Sequence, residues 1–232
     1  MAVELDADLA AVARAHQGVI EAELRASRRT ILHLFRTRLR ADPTTLGAPE
    51  FLALADAPTV HAAIVLAARA ATGAACALFL VDGDTQVPRV VRTHGVLRAA
   101  RPALIALVAA EVPRRWADLR DGDPVPIGAP APGDDPAGAR SRRALGEAGL
   151  VDGHLYPLRA AGDVLGVLTT HYRRPGPHPP QGLLVLSAER ALARSTPASR
   201  SATPTTVTVL GPLETSPAAA RSGRWKPAAT RS

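Results

Sequence analysis

Cys76, the histidines at 94, 154 and 171, and two aspartate pairs are the residues of this chain best suited to chemistry. A thiol acts as nucleophile or metal ligand only as thiolate, and redox exchange needs a second cysteine to resolve the first product. Cys76 is the sole cysteine, so an internal disulfide framework and a cysteine-based zinc site are excluded. The alanines on either side of it suit an inert buried thiol. His94, His154 and His171 fall on different elements without a common ligand spacing, as hydrogen-bonded strand histidines do. Asp121 with Asp123, and Asp134 with Asp135, could hold a cation, but no glycine-spaced ligand loop surrounds them and they read as solvated loop acids. No P-loop, GxGxxG, nucleophile elbow or HExxH is present. The expectation is a chain without catalysis and without a bound metal.

The elements that would position these residues are legible in the periodicity. Leu5, Leu9, Val12, His16, Val19 or Ile20, Leu24, Ile31 and Leu34 or Phe35 recur at helical steps, and Ala41-Asp42-Pro43 ends the run. So narrow and long a stripe suits a helix that pairs with a partner or lies against a domain. A second helix starts near Pro58, capped by Asp56, and stops at Gly73. The period then changes to strand over 75–81, an Asp-Gly-Asp turn, and strand over 89–93. "RPALIALVAAEV" is a short helix, "GAPAPGDDPAGARS" reads as a mobile loop, and a short strand fits 124–127. A brief helix, "RRALGEAGL", leads to a second hairpin, "HLYPLRAAGDVLGVLTTHY", turning at Ala161-Gly162-Asp163. In its second strand Val167, Thr169 and His171 point one way, and Leu168, Thr170 and Tyr172 the other. Gly166 inside that strand allows a neighbour to approach closely. "GLLVLSAERALARS" adds a last helix.

The expected fold class is therefore α+β, a central antiparallel sheet flanked by helices, with a long N-terminal helix and a disordered C-terminal tail. Residues 1–43 are set apart as an N-terminal helix suited to dimerisation, 44–194 as one folded domain, and 195–232 as a basic tail rich in Ser, Thr, Pro and Ala. Apolar residues make up 47% and aromatics 3%, so the core must be aliphatic. The net charge of +7 is a property of the end of the chain. Residues 1–172 carry 19 arginines against 19 acids, whereas residues 173–232 carry nine basic residues against two acids. "VHAAIVLAARAATGAACALFLV" is long enough to span a membrane, but Arg69, Gly73 and its alanine content make it a helix followed by a buried strand. The acidic N-terminus shows no secretory signal, and the expected location is cytoplasmic.

"AGLVDGHLYPLRAAGDVLGVLTTHYRRP" resembles the C-terminal half of a GAF domain, and "ATGAACALFLVDGDTQVPRVVRTHGV" resembles its opening helix end and first two strands. The resemblance spans roughly residues 55–190. The "HYRRP" ending is similar to bacterial GAF proteins often joined to an ANTAR module, a small helical RNA-binding antiterminator, although nothing after Ser195 has the pattern of three further helices. The resemblance implies a non-catalytic signal-transduction domain. It would hold a small ligand on one sheet face under residues 98–150, with terminal helices, often dimeric, on the other. His94, Tyr156, Thr169 and His171 are the candidate ligand-binding residues, the cofactor is unknown, and the expected partner is a second copy through the N-terminal helix. Two alternatives stand beside this. A haem or redox sensor of the same family would use a histidine as axial ligand. A nucleic-acid-associated transcription or antitermination regulator would use the basic tail, where Trp225 adjoins Lys226. The family's cyclic-nucleotide branch needs an asparagine network, and this chain has no asparagine.

Overall fold

A computed structural model describes residues 2–127, 135–178 and 181–196, with side chains from residue 11 onward. The tail expected over 195–232 lies outside the described residues from 197 onward, and so does 128–134 of the expected loop.

The two hairpins read from the sequence share one sheet. Its strands are β1 (Ala75–Val81), β2 (Pro88–His94), the two-residue β3 (Val125–Pro126), β4 (Asp152–Ala160) and β5 (Asp163–Tyr172). The order is β2-β1-β5-β4-β3, and each neighbouring pair is antiparallel. Asp82 holds the first turn by accepting from the Thr85 amide at 2.9 Å. Ala161 and Gly162, both at positive φ, make the two-residue turn of the second. β1 joins the hairpins, with Ala75 opposite His171 and Leu80 opposite Gly166. Its sequence, ACALFLV, is apolar throughout because both faces are covered.

One face carries α1 (Ala2–Ala41), α3 (Ala57–Thr72) and α7 (Gly182–Ser195), with the short α2 (Pro49–Leu54) beside them. Phe35 and Leu39 of α1, Ile64 and Ala67 of α3 and Leu192 of α7 bury against Cys76, Leu78 and Leu168. Asp56 caps α3 by accepting from the Thr59 amide at 3.0 Å and also takes Arg28 Nε of α1 at 2.5 Å, tying the two helices together. Burial opposes the Asp56 charge, but the Thr59 and Arg28 bonds hold its carboxyl below the ordinary range. The N-terminal half of α1 has no such cover, and Val12, Val19, Ile20 and Leu24 are exposed.

The other face lies under α4 (Arg101–Arg114), α5 (Trp116–Asp121) and α6 (Pro136–Glu147). Leu104, Leu107, Val108, Leu119 and Leu145 cover Ala77, Phe79, Leu155 and Val167. The loop expected over 128–141 is shorter than that reading. α6 begins at Pro136 because the Asp135 carboxylate accepts from the amides of Ala137 and Gly138, both at 3.1 Å, and proline suits the first helical position.

Gly166 is where the layers meet most closely. A Cβ there would collide with the Phe79 carbonyl and lie 3.4 Å from Leu192 Cδ2. Gly166→Ala is expected to destabilise the protein by about 2 kcal/mol, because the neighbour is backbone in a central strand and cannot step aside. Urea denaturation measures it, and an unchanged midpoint would contradict the close approach.

Candidate functional site

Between the sheet and its α4–α6 cover lies a cavity of about 280 Å³. Leu107, Leu145, Gly146 and Leu150 give it apolar walls, while Arg142, Arg143, Asp152 and His171 reach it as polar groups. The floor is β5. His171 is buried, and its Nε2 stands 3.1 Å from the buried Thr169 hydroxyl. Burial pushes the imidazole pKa down to about 4, so the ring is neutral at pH 7. Opposite it on β4 stands Gly153, where a Cβ would lie 3.1 Å from His171 Nδ1 and would clash with the Thr170 carbonyl. The ring occupies the space that a side chain at 153 would fill.

The cover is pinned from within. Glu111 of α4, its side chain 5% exposed, accepts from Arg142 Nη2 of α6, whose side chain is 8% exposed, and from Arg114 Nη2 at 2.6 Å. At the open end of β4, Asp152 takes His178 Nε2 at 3.0 Å and the Gly153 amide at 2.8 Å. Burial works against its charge, but these bonds hold the carboxyl below the usual range. A neutral imidazole, a fixed guanidinium and apolar walls can orient a small, mostly apolar molecule through one or two hydrogen bonds.

Of the four candidate residues, the structure puts His171 at the cavity with Thr169 hydrogen-bonded behind it, and sets the other two apart. Tyr156 faces the α1–α3–α7 side, in the same core cluster as Leu158 and Leu168. Burial, and then the neighbouring Tyr172, push its hydroxyl pKa up to about 12. The physical reason for the separation is a β-bulge. The hairpin register shifts between Leu158 and Arg159, so that Tyr156 pairs with Leu168 and not with Val167. His94 is exposed at the end of β2, opposite Cys76 and on the α1–α3 side. Cys76 itself is buried there, donates to the Ala74 carbonyl at 3.4 Å, and has its pKa pushed up by burial to about 12. Among the described residues no group of three or more His, Cys, Asp or Glu stands together in a way that could hold a metal ion.

Three solved structures resemble this arrangement of the chain. A domain assigned to a two-component sensor histidine kinase protein from Sinorhizobium meliloti is 18% identical, with a TM-score of 0.47 over 60% of this chain and 90% of that one. The GAF domain of the cyanobacteriochrome TePixJ of Thermosynechococcus elongatus is 17% identical, with a TM-score of 0.44 over 62% and 89%. The chromophore-binding domain of Stigmatella aurantiaca bacteriophytochrome is 17% identical, with a TM-score of 0.42 over 66% and 57%. No family model and no curated sequence matches the chain.

Sequence reasoning missed Glu111, Arg142 and Gly146. Glu111 stands in "RPALIALVAAEV" as the one acid of an otherwise apolar helix, and that is the signal that could have found it. Among the described residues no helix is long and apolar enough to cross a membrane, so the 60–81 segment is a helix and a buried strand, as expected.

Proposed function

We propose that this chain is a non-catalytic sensor domain of the GAF type that holds a small, largely apolar ligand between β5 and the α4–α6 cover. One observation carries the reading: a cavity bordered by His171, whose ring meets the buried Thr169 hydroxyl, lies on the sheet face opposite α1. Strands β1 and β5 have side chains in both layers, so a ligand that prefers one seating of α4 and α6 changes the support on which α1 rests. The second half of the proposal is a homodimer through α1. Val12 is 68% exposed and Leu34 64%, and together with Val19, Ile20 and Leu24 they form an apolar stripe that a second copy of the same helix would cover. In this reading the protein works in a bacterial cytoplasm, and its "HYRRP" ending sets it beside GAF proteins of the GAF-ANTAR type, without the ANTAR module.

Native mass spectrometry of the full chain purified from its host tests both halves. The expected result is a dimer carrying a small-molecule adduct. Gly146 lines the cavity with open space at its Cβ position, so Gly146→Leu should fill it and lose the adduct while the far-ultraviolet circular dichroism stays unchanged. Val19→Glu with Leu24→Glu should give monomers. A monomeric wild-type chain without adduct would overturn the proposal.

A further inference from the structure

A cluster of arginines lies outside that cavity. Where β1 begins and β5 ends, the surface opens into a second cavity of about 530 Å³, bordered by Arg69, Gly95, Tyr172, Arg173, Arg174 and His178. Among the described residues no carboxylate borders it. Asp152, which bonds His178 and Gly176 of its border, is engaged by the His178 ring and by the Gly153 and Gly176 amides. Arg69 comes from the last turn of α3 and reaches back to donate to the Gly73 carbonyl, which fixes its guanidinium at the rim. Arg173 and Arg174 stand exposed on the other side, and among the described residues neither makes an ion pair.

Further arginines extend the same field. Arg36 and Arg40 of α1 and Arg92 of β2 gather with Arg69 around His94, and after burial their charges are what lower its proton affinity. None of these four makes an ion pair among the described residues, although Arg28, Arg38 and Arg115 do find carboxylates. The wall beside Arg173 is stiff, because the Tyr172 and His178 rings stack with centroids 3.4 Å apart and planes 7° apart. Arg69 of α3 and the Arg173–Arg174 pair after β5 thus hold guanidinium groups, without an ion-pair partner among the described residues, around a concave space with a flat aromatic side.

We propose that this cavity is an anion site that takes a small molecule bearing a phosphate or pyrophosphate group, with Arg69 and the Arg173–Arg174 pair as its ligands. Guanidinium matches phosphate oxygens in a two-pronged geometry, and several such groups around one concavity favour a multiply charged anion over a single carboxylate. The site is separate from the one under α4 and α6, although Leu150 and His171 border both.

Calorimetric titration of the full chain with inorganic pyrophosphate, in chloride at matched ionic strength, tests it. Saturable binding of about one pyrophosphate per chain is expected. Arg69→Gln should weaken it at least tenfold, and so should Arg173→Gln with Arg174→Gln, a pair whose side chains make no ion pair and whose loss leaves the fold intact by circular dichroism. Arg120→Gln, an exposed arginine of α5 away from this cavity, should change it less than twofold. Absence of saturable heat up to millimolar pyrophosphate would overturn the proposal. So would equal weakening by Arg120→Gln, which means diffuse charge, or unchanged binding in the Arg173/Arg174 variant, which places the anion elsewhere on the chain. Tight binding of an RNA duplex with none of pyrophosphate would overturn it too, in favour of a polyanion surface. Because this readout does not depend on the adduct or on dimerisation, its failure is distinguishable from failure of the sensor reading.

Discussion

Glu111→Ala should lower the unfolding free energy by about 3 kcal/mol, while replacing Glu111 by Leu together with Arg142 by Met should cost far less or even stabilise. The argument starts from how little else holds α6 in place. Of its twelve residues only Leu145 is a large buried apolar side chain, with Gly138 and Ser141 the other buried positions. The buried Glu111–Arg142 pair ties it to α4, and Arg114 supports that pair from a half-exposed position. Removing the carboxylate alone takes from the Arg142 guanidinium, 8% exposed, the buried charge that α4 sets against it. Breaking a buried pair from one side is the expensive case, whereas an apolar exchange of both partners removes the desolvation cost along with the attraction. Urea denaturation of the single and double variants separates the two. A double variant as unstable as Glu111→Ala would show that packing at α6, and not the stranded charge, is what was lost. The same measurement bears on function, because α6 supplies Arg142, Leu145 and Gly146 to the cavity wall.

How far such a site can be read from sequence depends on the range over which its residues are set. Short-range signals were enough for the hairpins, for Asp56 and Gly73 at the ends of α3, and for Thr169 and His171 sharing a face, since strand alternation alone dictates that. The start of α6 was hidden, because Asp135-Pro136 followed by Gly138 looks the same whether it caps a helix or turns a loop. Tyr156 shows a subtler limit. Counting back from the Ala160–Asp163 pair puts Tyr156 opposite Val167, on the cavity face. The extra residue at Leu165 moves it opposite Leu168 and so to the other side of the sheet. A bulge is one residue in the count and a whole face in the outcome. His94 was read only as a strand histidine; β2 is an edge strand with its own register shift opposite Leu78 and Phe79, and the strand end carries His94 to the exposed α1–α3 side. Glu111 and Arg142 lie 31 residues apart, and no local pattern joins them.

Between pH 6.5 and pH 4 the protein should lose about 3 kcal/mol of stability to the single imidazole of His171. Its folded pKa is lowered to about 4 by burial, against an ordinary value of 6.5 in the unfolded chain. In that window the unfolded state binds more protons than the folded one, so stability rises with pH, is complete above 6.5, and falls away as acid is added. At pH 5 the loss should be about 2 kcal/mol, since the unfolded imidazole is already largely protonated and the folded one is not. His61, His94 and His154 are displaced in the same direction but are less enclosed, and they add to the slope without setting it. Asp56 and Asp152, whose carboxyls are held below their ordinary range, lose their contribution only under about pH 4 and so leave the window to the histidines. Urea midpoints at pH 7.5 and pH 5.0 read the slope directly. In His171→Gln most of it should vanish, whatever that variant costs at pH 7.5, because glutamine has no proton to take up. An equally steep slope in His171→Gln would mean that the ring is hydrated and not sealed beneath α4 and α6, and the floor of the ligand cavity would then be open to water.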